Sequence, residues 1–340
     1  MGEDSDVSPG WAAIDAALER LYPGQQPRHF GNPAGRSMGE QIVGVSAYRR
    51  QEPVPHWHYI TYGLTELYEK EFRNPELSGF GFELAMRIVS DDDVDPPMWP
   101  LNVLTMMANY VARSGNSLGD GEWMGELGPI TNVVQTSLTA AAFAYDPELP
   151  AIATVHGEVS FLQIVPLTTD EINAVTSWNA GGLLAAMLPA MPLWATDPTR
   201  GSHLHDPVIA DVVAQGMTRD GSTTGLMFLT TLDWTAASGG LHPRAPAQAQ
   251  FTVTMTAAKV RAIVELLGSR LLFDREVALA SQEYTVRCLP GPTPGAVVTD
   301  ERTLEITIPP EACRALAATL VTEPGEYEIQ GIPQVRFRLV

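Results

Sequence analysis

The densest collection of reactive side chains in the sequence is Pro55-His56-Trp57-His58-Tyr59-Ile60-Thr61-Tyr62-Gly63-Leu64, with two histidines and three aromatics in one short run. In an extended strand alternate residues face opposite ways, so His56 and His58 share a face. Two imidazoles placed like this are half of a metal site. A metal needs three or four ligands, usually with partners behind them, and no Cys, His or carboxylate cluster nearby completes the set. The run therefore reads as a strand with a half-polar face, its histidines structural. His203-x-His205-Asp206 is the next metal candidate, but Asp206 stands directly before Pro207 and reads as a helix cap. Asp91-Asp92-Asp93 with Asp95 lacks the spacing and the closing Glu of a calcium loop and reads as a solvated turn.

Other constellations are missing too. There is no Gly-x-Ser-x-Gly elbow, no phosphate-cradling glycine loop ending in Lys-Ser/Thr, and no His-Glu-x-x-His. The lone histidines His29, His156 and His242 have no base or nucleophile partner in sequence. Cys288 and Cys313 form neither a disulfide framework nor a zinc spacing, and read as reduced core residues. The sequence names no catalytic residue, metal or cofactor, which is the profile of a binding protein rather than an enzyme.

Charge narrows the partner. The 340 residues carry a formal charge of −19, with lysine only at Lys70 and Lys259. Phosphate backbones require clustered Lys and Arg, so nucleic acid is not an expected direct partner. A basic protein is, because an acidic surface speeds its encounter. The first residues are acidic where a signal peptide is basic and then apolar, and no apolar stretch reaches membrane-spanning length. The expectation is a cytoplasmic protein.

These residues have to be positioned by a mixed α+β fold. Pro9 with Trp11, Ile14, Leu18 and Leu21 predicts a helix stopped by Pro23-Gly24, and residues 24–40 read as a loop. Strands are expected at 42–48, 79–88, 130–138 and 159–165. In the second of these Phe80, Phe82, Leu84, Met86 and Ile88 alternate with Gly81, Glu83, Ala85 and Arg87, one face bound for the core. Gly79 and Gly81 leave room for another backbone to come close. Pro100 opens a helix that carries Tyr110 near its end, and 118–129 is too polar and glycine-rich for core. Thr168-x-x-Glu171 is a capping box. Asp206-Pro207 starts a helix that stops near Gly216. Asp220-Gly221-Ser222 breaks the pattern, giving two domains, 1–222 and 223–340, each a mostly antiparallel or mixed sheet packed with helices. In the second, strand 251–255 and strand 304–308 each lead into a helix, a short internal repeat that aligns Arg261 with Arg314. Further strands are expected at 226–233, 284–288 and 334–339.

The opening run, with Leu67-Tyr68, Ser78-Gly79-Phe80-Gly81-Phe82-Glu83-Leu84, Pro97-x-Trp99-Pro100, Phe161-Leu162-Gln163-Ile164-Val165 and Trp178-Asn179, resembles the ordered motifs of the Suppressor of fused family over roughly residues 10–222. Animal members hold Gli-type transcription factors by gripping a short peptide between two domains and adding it as a strand to their sheets. The resemblance implies a partner-binding set. Tyr110 matches a peptide-contacting tyrosine, and Glu122 stands where an Asp pairs with the peptide's histidine. Trp123 replaces a His, and His156 replaces a groove-lining Phe. These departures, and a C-terminal half too short for the animal proteins' acidic insertion, point away from a Gli-like ligand. Arg over Lys, with abundant Ala, Gly and Pro, looks like a GC-rich bacterial genome. Bacterial relatives are linked to toxin systems as immunity proteins. The resemblance thus implies a bacterial immunity protein that binds a toxin domain, with a peptide-gripping adaptor that sequesters a transcription factor as the alternative and an unrecognised enzyme as the third reading.

Overall fold

The structure is a computed structural model that describes residues 8–31, 42–236 and 250–340. The first helix is α1 (Pro9–Leu21), with Ile14 and Leu18 fully buried on its inner stripe. Four strands follow, β1 (Arg28–Gly31), β2 (Gly44–Arg50), β3 (His56–Tyr62) and β4 (Leu77–Val89). Next come α2 (Trp99–Ser114), β5 (Trp123–Met124), β6 (Leu138–Tyr145), β7 (Ile152–Thr154) and β8 (Gly157–Thr168). Helices α3 (Thr169–Ser177), α4 (Ala180–Met187) and α5 (Pro207–Asp220) complete this half.

The strands from β1 to β8 form one sheet in the order β1-β2-β3-β4-β8-β6-β5, with β7 paired to β8. The β4–β8 pair is parallel and the rest antiparallel. Both faces are covered. Trp57, Tyr59, Leu84, Met86, Ile88, Leu162 and Ile164 pack with Val103, Leu104, Met107 and Val111 of α2. Tyr48, Ile60, Tyr62, Ala85 and Phe161 pack with Ile14 and Leu18 of α1. This is why every residue of β3 is buried, its supposed half-polar face included.

The remaining strands are β9 (Leu226–Phe228), β10 (Leu232–Ala236), β11 (Phe251–Met255), β12 (Val277–Ala280), β13 (Thr285–Pro290), β14 (Gly295–Asp300), β15 (Thr303–Ile308), β16 (Gly325–Glu328) and β17 (Val335–Leu339). With α6 (Val260–Leu271) and α7 (Pro310–Thr319) they build a four-stranded sheet, β10-β11-β17-β16, and a five-stranded one, β14-β15-β13-β12-β9. The repeat seen in sequence puts β11 in one sheet and β15 in the other, while α6 and α7 bury Ile263, Leu267, Cys313 and Leu316 in a shared core. Cys288 and Cys313 are both free thiols in that core. Burial pushes the Cys288 thiol up to about 12 and raises that of Cys313. The chain forms two compact units. One runs to Ile172 and includes Ala180–Ala210, and the other comprises Asn173–Asn179 and Asp211–Val340.

Several sequence expectations change. Arg28–Gly31, expected as loop, is an edge strand whose exposed residues gave no apolar alternation. The expected strand at 130–138 is instead Leu138–Tyr145. Its Leu-Thr-Ala-Ala-Ala-Phe-Ala run has weak intrinsic strand preference, overridden because Ala140, Ala141 and Ala142 are buried beside β8. The glycine-rich stretch expected to stay out of the core buries Leu118 and contributes β5 to the sheet. Helix α5 continues past Gly216 to Asp220. Finally, β4 does not have one inward face: Glu83 and Arg87 are as buried as Leu84 and Ile88, since α1 roofs the second face.

Candidate protein-binding site

The opening motif holds a buried polar network. Arg87 on β4, 1 % exposed, pairs bidentately with Asp146, Nη1 to Oδ2 at 2.6 Å and Nη2 to Oδ1 at 3.0 Å. It also donates to Gln163 Oε1 and to Glu148 Oε2. His58 Nε2 lies 3.0 Å from Asp146 Oδ2, and His58 Nδ1 is 2.7 Å from the Tyr22 hydroxyl at the end of α1. His56 donates from Nδ1 to the Val54 carbonyl at 2.7 Å. Burial, reinforced by the neighbouring Arg87 charge, lowers both histidines to about 4, so both rings are neutral near pH 7. Burial would raise the Asp146 carboxyl, but His58 and Arg87 hold it well below the usual range. The shared face of His56 and His58 therefore serves a charge cluster. His58 directs both ring nitrogens at protein groups and His56 its Nδ1, leaving His56 Nε2 buried without a hydrogen bond, and among the described residues no three His, Cys, Asp or Glu side chains gather as a ligand set.

A second pair of acids organises the loop after β3. Glu83, fully buried on β4, accepts from Thr61 Oγ1 and Thr65 Oγ1 (2.6 Å each) and from the backbone N–H groups of Gly63 and Thr65 (2.9 Å each). Burial raises its carboxyl while these donors act in the opposite direction. Glu66 accepts from the N–H groups of Glu71, Phe72 and Gly79 and from Lys70 Nζ at 2.8 Å. Lys70 also donates to the His156 carbonyl at 2.8 Å. His156 is thus a buried residue of the β7–β8 turn, with its Nε2 buried and unbonded. Among the described residues no hydrogen bond, ion pair or ring contact joins it to Tyr110, Glu122 or Trp123.

The second histidine motif is explained by Glu171. This buried carboxylate caps α3 through the Thr168 N–H at 2.9 Å, receives Arg200 at 2.7 Å and 2.8 Å, and accepts the His203 N–H at 2.8 Å. Asp206 accepts the Val208 N–H at 2.8 Å, the helix cap read from sequence.

Tyr110 lies on α2 and Glu122 and Trp123 lie at the sheet's far edge, where Met124, not Trp123, packs with the α2 core. Tyr110 is exposed in the last turns of α2, its hydroxyl 3.4 Å from Asn116 Nδ2. Glu122 accepts the Gly119 N–H at 3.0 Å and so folds the turn that launches β5. Trp123, half-buried, pairs with Ala142, and among the described residues β5 is the last strand of the sheet. No hydrogen bond or ring contact joins Tyr110 to Glu122 or Trp123 among the described residues. Sequence reasoning missed Arg87, Asp146 and Glu83. The available signal was an acid and an arginine inside a strand otherwise apolar enough for a central position.

These features define a class: a two-unit α+β protein whose buried polar groups build its framework and whose larger sheet ends, among the described residues, in the short strand β5. Residues 39–201 match the model of the Suppressor of fused protein family. The human Suppressor of fused homolog is 32 % identical over 233 residues, 63 % of this chain and 48 % of the human one, so the match spans about half the length of that relative. The crystal structure of Drosophila Suppressor of Fused superposes with a TM-score of 0.77 at 20 % identity, covering 98 % of this chain and 97 % of the other. A chain of the Sufu–Fu complex is 26 % identical over 60 % of this chain and 96 % of its own, with a TM-score of 0.55. Over residues 39–201, just under half of its length, the chain is thus similar to the Suppressor of fused family.

Proposed function

We propose that the chain is a non-enzymatic protein-binding protein that takes an extended segment of its partner as an added strand on the β5 edge. The observation that carries this reading is that edge. Among the described residues the sheet ends in a two-residue strand with no further strand beyond it, and Trp123 and Glu122 lie on it and beside it. An unpaired edge is a template for strand addition, and an aromatic with a carboxylate supplies the side-chain selectivity that main-chain bonds lack. The Sufu–Fu complex supports it, since a relative is found bound to a protein partner. The finer reading is a bacterial immunity protein that neutralises a basic toxin domain in the cytoplasm, which the charge of −19 favours.

Two measurements test these levels. Co-expression with the product of the adjoining gene should rescue cells from that product if it is a toxin. Failure of rescue, with peptide binding retained, assigns the adaptor role instead. For the edge itself, Glu122→Gln with Trp123→Ala should leave the melting temperature nearly unchanged and weaken partner binding by about 2 kcal/mol or more. Unaltered affinity removes the edge from consideration.

A further inference from the structure

We infer that a groove along α2 is a docking site for an apolar peptide segment carrying one acidic residue near its end. This deepens the peptide-binding reading and rests on it. The outer row of α2 is Met98, Asn102, Met106 and Tyr110, four residues apart and therefore stacked on one face. Met98, Met106 and Tyr110 are 56 %, 45 % and 38 % exposed. Across from them, Leu127, Pro129 and Val133 of the segment between β5 and β6 form a second wall, with Val133 77 % exposed. The space between holds about 470 Å³. A second hollow of about 510 Å³ continues past Met106 along Asn109, Tyr110 and Arg113, so Met106 is common to both. The row from Met98 to Arg113 is about 22 Å long, the span of roughly seven extended residues.

Charge selects the occupant. The chain has 40 Asp and Glu, yet residues 96–119 and 127–145 contain none. Arg113 is the sole charge on α2, is exposed, and makes no hydrogen bond or ion pair among the described residues. An apolar patch free of the surrounding acids and ended by one unneutralised cation suits apolar side chains followed by a carboxylate. Methionines line it at Met98 and Met106, and their flexible thioethers conform to irregular apolar partners. A second copy of the chain is a poorer occupant, because a two-fold contact sets the patch against itself and leaves Arg113 without an acid. A nucleic acid is poorer still, for a single cation neutralises a single phosphate.

The test uses the full chain and a displayed library of random twelve-residue peptides, the enriched sequences then being synthesised and titrated. Enriched peptides should combine two or more large apolar residues with one Asp or Glu. Met106→Lys and Arg113→Glu, both at exposed positions, should keep the wild-type melting temperature and each weaken binding at least tenfold. Replacing the peptide's acid by Lys should restore affinity for Arg113→Glu alone. Peptides that bind both variants within twofold of wild type overturn the groove. If those peptides still respond to Glu122→Gln with Trp123→Ala, the β5-edge reading survives that result. A library that yields no binder overturns both.

Discussion

Arg87 shows how a single side chain can commit its surroundings. A guanidinium 1 % exposed in a sheet is tolerable only with its charge matched, and Asp146 and Glu148 provide the match while Gln163 accepts a further N–H. The histidines beside it stay neutral, and this has a pH consequence. Unfolded His titrates near ~6.5, whereas His56 and His58 are lowered to about 4 in the fold. Above pH ~6.5 both states carry neutral rings and nothing is lost. As pH falls below that, the unfolded chain takes protons that the folded chain refuses, so stability drops until pH about 4, where the folded rings also titrate. His29 and His203, also lowered by burial, act in the same direction. Urea unfolding at pH 7.5 and pH 5 should differ by on the order of 2–4 kcal/mol. A flat profile between those values would mean that the rings are solvated or charged in the native protein. Little of this was readable beforehand: His56 and His58 stood out by type, but the partners of His58 lie 88 residues downstream at Asp146 and on a separate helix end at Tyr22.

At the level of elements, the loop from Gly63 to Gly79 is held by carboxylates as well as by the buried Leu64 and Leu67. Glu83 and Glu66 gather its backbone N–H groups, and Gly79 brings β4 against the loop. Gly79 has φ +56°, and a Cβ there would lie 2.4 Å from the Leu64 carbonyl oxygen. The sequence suggested a close backbone approach at this glycine, and the Phe80 N–H to Leu64 carbonyl bond of 3.0 Å is that approach. Gly79→Ala should therefore destabilise the protein by about 2 kcal/mol or more through both strain and overlap. Thermal unfolding checks it, and a melting temperature within a degree of wild type would show that the loop yields easily. Helix α2 was legible for an ordinary reason, since Leu104, Met107 and Val111 recur at helical spacing. Strand β6 was not, because an alanine run carries no strand signal until its neighbours are known.

For the whole molecule, the second unit draws on sequence from before α4. Trp178 lies against Gly216 and donates from Nε1 to Asp220 Oδ2 at 2.9 Å, while Ser222 Oγ donates to the Thr176 carbonyl at 2.6 Å. Cutting the chain at residue 223 removes all of these contacts from the second unit. The isolated fragment 223–340 should unfold at a clearly lower temperature than the corresponding transition of the full chain. Calorimetry on the two decides it, and an unchanged transition would mean that residues 173–179 and 211–222 contribute nothing to that unit's stability. The acidic balance also belongs to this scale, as a long-range field within which α2 carries no acid and one cation, Arg113.

Local patterns determined what they could. Helical and alternating spacings fixed most elements as a mixed α+β protein, ordered motifs pointed to the Suppressor of fused family, and glycine at Gly79 marked a close approach. These are properties of neighbouring residues, and short-range sterics and side-chain periodicity settle them. Only the tertiary structure decided that β3 and β4 are buried on both faces, that Glu83 and Arg87 therefore face inward, and that His156 lies in a turn held by Lys70. Each depends on what covers a strand, and a chain segment carries no record of which distant segment will pack against it.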